Sequence, residues 1–204
     1  MKKIYIGIIV SIVCAISDVL LLYHPELIKK YDNYQFLFEI NPTSNTLGFV
    51  IGMLCLPLLY IGYKGVKEIS DEYSKQALDR SDWVVLFVIA LGCVVHSLYH
   101  FIPLFHLENK HLFILEVNQI KMVELLFVTF YIIFCTIITL QSLKVKNVLL
   151  YSNRYFNPLF WMVFVIIITV ITPKYGGYLA VSAFNLSIGF YFVGILINKR
   201  KAHL

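Results

Sequence analysis

Apolar residues fall into six blocks along the chain, separated by polar stretches: Ile4–Tyr23, Thr46–Tyr63, Trp83–Phe101, Met122–Leu140, Pro158–Thr172 and Tyr178–Ile197. Each approaches the ~20 residues that an α-helix needs to cross a bilayer. The pattern predicts an all-α, polytopic membrane protein, with residues 1–204 forming a single domain of six transmembrane helices in one bundle.

The connections carry their own signals. The segment KKYDNYQFLFEINP sets aromatic side chains among charges, as a stretch lying in the membrane interface does. The polar run Lys64–Asp82 has helical spacing and extends the second helix before a turn at Trp83, with Ser81 or Asp82 capping the third. ENKHLFILEVNQIK reads as a short amphipathic lead-in to the fourth helix. Asn157-Pro158 opens the fifth with proline in its first turn, and Tyr175-Gly176-Gly177-Tyr178 reads as a tight turn before the sixth. Gly48 and Gly52 mark a face for close helix approach, as do Ser11, Ala15 and Asp18 on the first helix.

Composition agrees with the pattern. The chain is 59% hydrophobic and 14% charged, where a soluble domain carries about 25% charged residues. Lys2 and Lys3 precede the first block, but no small-residue cleavage site follows it, so it reads as a retained helix. Lysine and arginine distribute unevenly. Lys2, Lys3, Lys64, Lys67, Lys75, Arg80, Lys144, Lys146, Arg154, Lys199, Arg200 and Lys201 fall on one side of the predicted bundle. Only Lys29, Lys30, Lys110, Lys121 and Lys174 fall on the other. The bias places both termini in the cytoplasm. It also accounts for the net charge of +5 without a nucleic-acid partner. Cys14, Cys55, Cys93 and Cys135 form no CxxC pair, which argues against thiol–disulfide exchange.

Candidate chemistry centres on HSLYHF, where His96 and His100 stand four apart and so share a helix face. At ~1.5 Å per residue, Asp18 lies roughly 22 Å up the first helix and His96 about 21 Å up the third. Asn185 lies roughly 12 Å down the sixth helix from the outer side, and Glu124 about one turn down the fourth. Four helices thus carry a polar group in the outer half of the bundle. An intramembrane carboxylate is costly and needs a partner, and His96 and His100 are the groups at matching depth for Asp18.

This arrangement predicts a polar pocket in the outer half that binds or transforms a small amphipathic or lipid-like molecule. Asp18, His96 and Glu124 are the candidate catalytic residues, and Tyr99, Ser182 and Asn185 the candidate substrate contacts. His96 and His100 are candidate metal ligands, with zinc the metal, although spacing fixes no third ligand. Other readings remain open. Asp18 with a histidine can also form a structural ion pair that fixes the first helix against the third, Glu124 can pair with Lys121, and His24, His106 and His111 suit solvated loops. A small proton-coupled transporter would use the same groups on a path, and a non-catalytic assembly partner would use none of them. Beyond the bilayer no partner is indicated, and oligomeric state is not encoded in any pattern found.

Five stretches carry a resemblance: SDVLLLYHPE, GMLCLPLLYIGY, HSLYHF, NRYFNPLFW and GGYLAVSAFNLSIGF. With these the chain resembles an uncharacterised family of small six-helix bacterial membrane proteins, a domain of unknown function. The resemblance implies a multi-pass protein of the bacterial plasma membrane in which Asp18, His96, Asn157 and Asn185 belong to the family pattern. Ser17, Asp18 and the His96/His100 pair are also similar to the membrane hydrolases that include alkaline ceramidases and progestin-type receptors. Those proteins have seven helices and hold zinc with three histidines, whereas this chain offers six helices and a histidine pair on the third.

Overall fold

The computed structural model describes residues 1–24, 35–70, 72–105, 113–144, 157–171 and 173–201, and among these it is all-helical. The long helices are α1 (Lys2–Leu22), α2 (Pro42–Cys55), α3 (Leu59–Ile69), α4 (Glu72–Arg80), α5 (Asp82–Phe105), α6 (Phe113–Lys144), α7 (Pro158–Ile171) and α8 (Pro173–Lys201). Single 3-10 turns occupy Gln35–Phe38 and Leu56–Leu58.

Five stretches are long and apolar enough to cross a membrane: Lys2–Leu22, Pro42–Ile69, Asp82–Leu104, Asn118–Leu140 and Val181–Asn198. Their outward side chains are apolar, among them Ile12, Leu54, Trp83 and Leu125. The fifth block behaves differently. Helix α7 has 14 residues, roughly 21 Å of helix against a hydrocarbon core of ~30 Å.

Local chemistry explains where the helices begin and bend. Asn41 caps α2 by accepting from Thr43 N at 2.9 Å and Ser44 N at 3.2 Å, with Pro42 at the first helical position. The helix therefore starts four residues before the apolar block at Thr46. Pro57 lacks an N–H and interrupts the second block, which becomes α2, a 3-10 turn and α3 where a single helix was expected. Asn157 accepts from Leu159 N at 2.8 Å and opens α7 ahead of Pro158, as the Asn-Pro pair predicts. The lead-in before the fourth block is continuous with α6 from Phe113 onward.

One expectation is corrected. The expected turn at Tyr175–Tyr178 lies inside α8, which starts at Pro173. Proline in the first turn supplies the helix start there, and helix backbone tolerates the two glycines. The segment read as interfacial also packs on the bundle over its described part. Phe36, Leu37 and Ile40 are buried against Leu21, Tyr99, Ile102 and Ile120, closing the end of the bundle where α1 finishes. Residues 25–34 of that connection lie outside the described residues. So do His106 and His111, whereas His24 pairs with Glu39 at 2.9 Å.

At the opposite end the run after α3 folds back through α4. The Tyr63 hydroxyl donates to the Leu78 carbonyl at 2.9 Å, and Lys67 bridges Asp79 and Asp82. Lys3 pairs with Glu68 between α1 and α3.

Helix α1 is the centre of the packing, touching α2, α3 and α8, while α7 leans on α8. The contact with α2 is close at Gly48: a Cβ there would stand 2.4 Å from the Leu21 nitrogen and 2.7 Å from the Ser17 carbonyl oxygen. Helix α6 instead packs mainly on α5. That uneven packing leaves room between α6 and the α1–α8 pair.

Candidate functional site

Asp18 stands on the buried stripe of α1 that also carries Ser11 and Ala15. Its Oδ1 lies 2.9 Å from Nε2 of His96 on α5, and its Oδ2 accepts from Nδ2 of Asn185 on α8 at 2.7 Å. All three side chains are buried. Both carboxylate oxygens are thus engaged, which compensates a charge that burial would otherwise penalise severely.

The other nitrogen of His96 is different. Nδ1 is buried with no hydrogen-bond partner among the described residues, and so is the Ser17 hydroxyl. Both atoms face Gly52, where an added Cβ would meet Nδ1 at 2.4 Å and the Ser17 oxygen at 2.9 Å. Only the missing side chain of Gly52 lets the imidazole reach Asp18.

His100 has separate company. Its Nδ1 lies 2.7 Å from Oδ1 of Asn45, whose amide donates to the carbonyls of Leu21 at 2.8 Å and Tyr99 at 3.4 Å. Phe49 stacks on its ring with centroids 4.4 Å apart. The spacing put the two histidines on one face, and the structure gives them different partners. No group of three or more His, Cys, Asp and Glu side chains suited to a metal ion forms among the described residues. The residues present do not fit the zinc set of the hydrolase likeness. The four cysteines are free.

A cavity of about 790 Å³ runs beside this cluster. Asp18, His96 and Asn185 line it, together with Tyr99, Lys121 and Glu124. Its body is apolar, walled by Leu56, Val88, Phe127, Phe184 and Ile188, and it reaches Tyr63 and Tyr191 toward the Lys3 end. Tyr131, which also lines it, hydrogen-bonds Ser187 across the gap between α6 and α8. Ser182 is buried but is not among the lining residues.

Asn45 was not singled out by its sequence context. The signal existed: Asn45, Gly48 and Gly52 are the buried residues of α2, and they fall at i, i+3 and i+7. Asn157, expected from the family likeness, sits elsewhere, donating to the Thr139 hydroxyl between α7 and α6.

These features define a helical, membrane-type protein with a polar cluster buried beside an apolar cavity. The chain belongs to a family of unknown function (DUF6796), whose model matches residues 1–202. No curated protein and no solved structure matches it.

Proposed function

We propose that this chain spans the cell membrane six times with both termini in the cytoplasm. We propose further that its cavity binds a small amphipathic or lipid-like molecule in the outer half of the bundle. The observation that carries the reading is the Asp18–His96–Asn185 cluster lining a cavity of about 790 Å³ whose body is apolar. A few convergent polar groups in an apolar cavity of this size suit a ligand with one polar end and a hydrocarbon body. A buried ionisable pair within membrane helices usually serves function, since it costs more than apolar packing would.

Binding is better supported than turnover. His96 oriented by Asp18 resembles a general base. Its Nε2 is committed to Asp18, however, and its Nδ1 is closed in against Gly52. Neither nitrogen is open to a bound molecule. Transport of an ion is less supported as well, because the cavity beyond the cluster is walled by aliphatic and aromatic side chains.

Gly92 gives a direct test. It lines the cavity, and an added Cβ would make only ordinary contacts, 3.6 Å to Phe127 and 3.7 Å to Leu56. Gly92→Leu therefore narrows the cavity and leaves the polar cluster in place. Native mass spectrometry of the purified chain should show a co-purifying amphiphile that is lost from Gly92→Leu. Equal lipid content in both proteins contradicts the reading.

A further inference from the structure

The lining of the cavity shows where it opens. Among the described residues that line it, Lys121 and Leu125 of α6 and Ile166 of α7 are exposed. The lining residues from every other element are buried or half-buried. Leu125 is 67% exposed and Ile166 48%, yet both border the cavity. A side chain that borders a cavity and is also open to the outside marks the rim of a mouth. Toward the Lys144 end the same wall is shut. There Asn157 donates to the Thr139 hydroxyl, Tyr131 bonds Ser187, and Met162 packs with Tyr131, Phe134 and Ile138 in one buried cluster. Leu125 stands past these ties, roughly 9 Å along α6 from Tyr131.

Both sides of this mouth are apolar helix, within Asn118–Leu140 and Pro158–Ile168. The exposed neighbours of its rim are Leu126, Val163 and Ile167. On membrane helices such a surface faces hydrocarbon. The cavity is also elongated along the bundle. Its lining runs from Val85 to Tyr99 on α5 and from Lys121 to Phe134 on α6, roughly 20 Å on each helix. That shape suits an extended chain lying parallel to the chains of the surrounding bilayer.

We propose, on the binding reading above, that the occupant is a long-chain lipid drawn from the bilayer, which enters and leaves sideways between α6 and α7 past Leu125 and Ile166. The ligand then passes from membrane to cavity without crossing water. The Tyr131–Ser187 bond forms the lower lip of the entrance.

The test uses the full chain in phosphatidylcholine nanodiscs and hexadecanol carrying a mid-chain diazirine. Probe and protein are mixed rapidly, irradiated by a flash at increasing delays, and the labelled residues are mapped by mass spectrometry. Labelling of Leu54, an outward-facing residue that does not line the cavity, reports arrival of the probe in the bilayer. Labelling of Val88 and Phe184 reports entry. The double variant Leu125→Trp, Ile166→Trp crowds the rim at two exposed positions outside the polar cluster, so the fold should tolerate it. Relative to Leu54, entry should slow about tenfold or more in that variant. Ile12→Trp, on an exposed position of α1 away from the lining, should leave the rate unchanged. Labelling of Val88 and Phe184 at one rate in all three proteins overturns the side entrance while leaving the cavity a binding site. No labelling of either residue, at any delay, overturns the binding reading and this inference with it.

Discussion

His96 and His100 are one helical turn apart, equally buried at 6% exposure, and both hydrogen-bonded, yet they belong to different kinds of structure. His100 is held by a neutral amide that is itself anchored on two backbone carbonyls, and a phenylalanine covers its ring. That cluster ties α2 to α1 and α5, and neither Asn45 nor His100 lines the cavity. His96 is held by a carboxylate, lines the cavity and keeps one nitrogen without a partner. The first arrangement satisfies its groups locally. The second retains a buried ionisable pair and, among the described residues, two unmatched atoms, a cost that stability alone does not explain. Equal burial and equal spacing on one helix therefore do not imply equal roles, and the partner decides.

Asp18 carries the largest expected effect. Asp18→Ala leaves the His96 Nε2 and the Asn185 amide unpaired in the interior, and the loss should reach about 3–5 kcal/mol. Thermal unfolding in detergent measures it, and an unchanged midpoint would show that the cluster carries no such cost. Gly48→Ala comes next, at about 1–3 kcal/mol, because the new methyl meets backbone of α1 that cannot turn aside. Asn45→Ala should cost a similar or slightly smaller amount, about 1–3 kcal/mol, by stranding His100 Nδ1 and the Leu21 carbonyl. Its bound amphiphile should stay. Ser17→Ala should have the smallest effect: removing a buried hydroxyl that has no partner should leave stability unchanged or raise it by up to about 1 kcal/mol. A clear loss in that variant would mean that the hydroxyl serves His96 directly.

Much of this arrangement is legible in the order of residues. Apolar blocks locate the helices, and counting the rise along them brings Asp18, His96 and Asn185 to one level before any contact is known. Side-chain partners are less legible. Spacing assigns His96 and His100 to one face but cannot say that Asp18 faces the first and Asn45 the second. That choice depends on how α2 approaches α1, which Gly48 permits. Hydropathy also misplaces ends that polar chemistry sets. Asn41 starts α2 before its apolar block, Pro57 divides that block, and Pro173 starts α8 ahead of two glycines that look like a turn. The inward packing of Phe36 and Leu37 is hidden for a related reason, since charged neighbours mask two apolar side chains in a short segment.

Two asparagines separate the roles of the two histidine clusters. Asn185 donates to Asp18 beside the cavity, and Asn45 holds His100 away from it. Native mass spectrometry and thermal unfolding on Asn185→Ala and Asn45→Ala would read ligand occupancy and stability side by side. Both variants should unfold earlier, and only Asn185→Ala should lose the bound amphiphile. Equal occupancy in the two variants would mean that the Asp18 cluster does not hold the ligand.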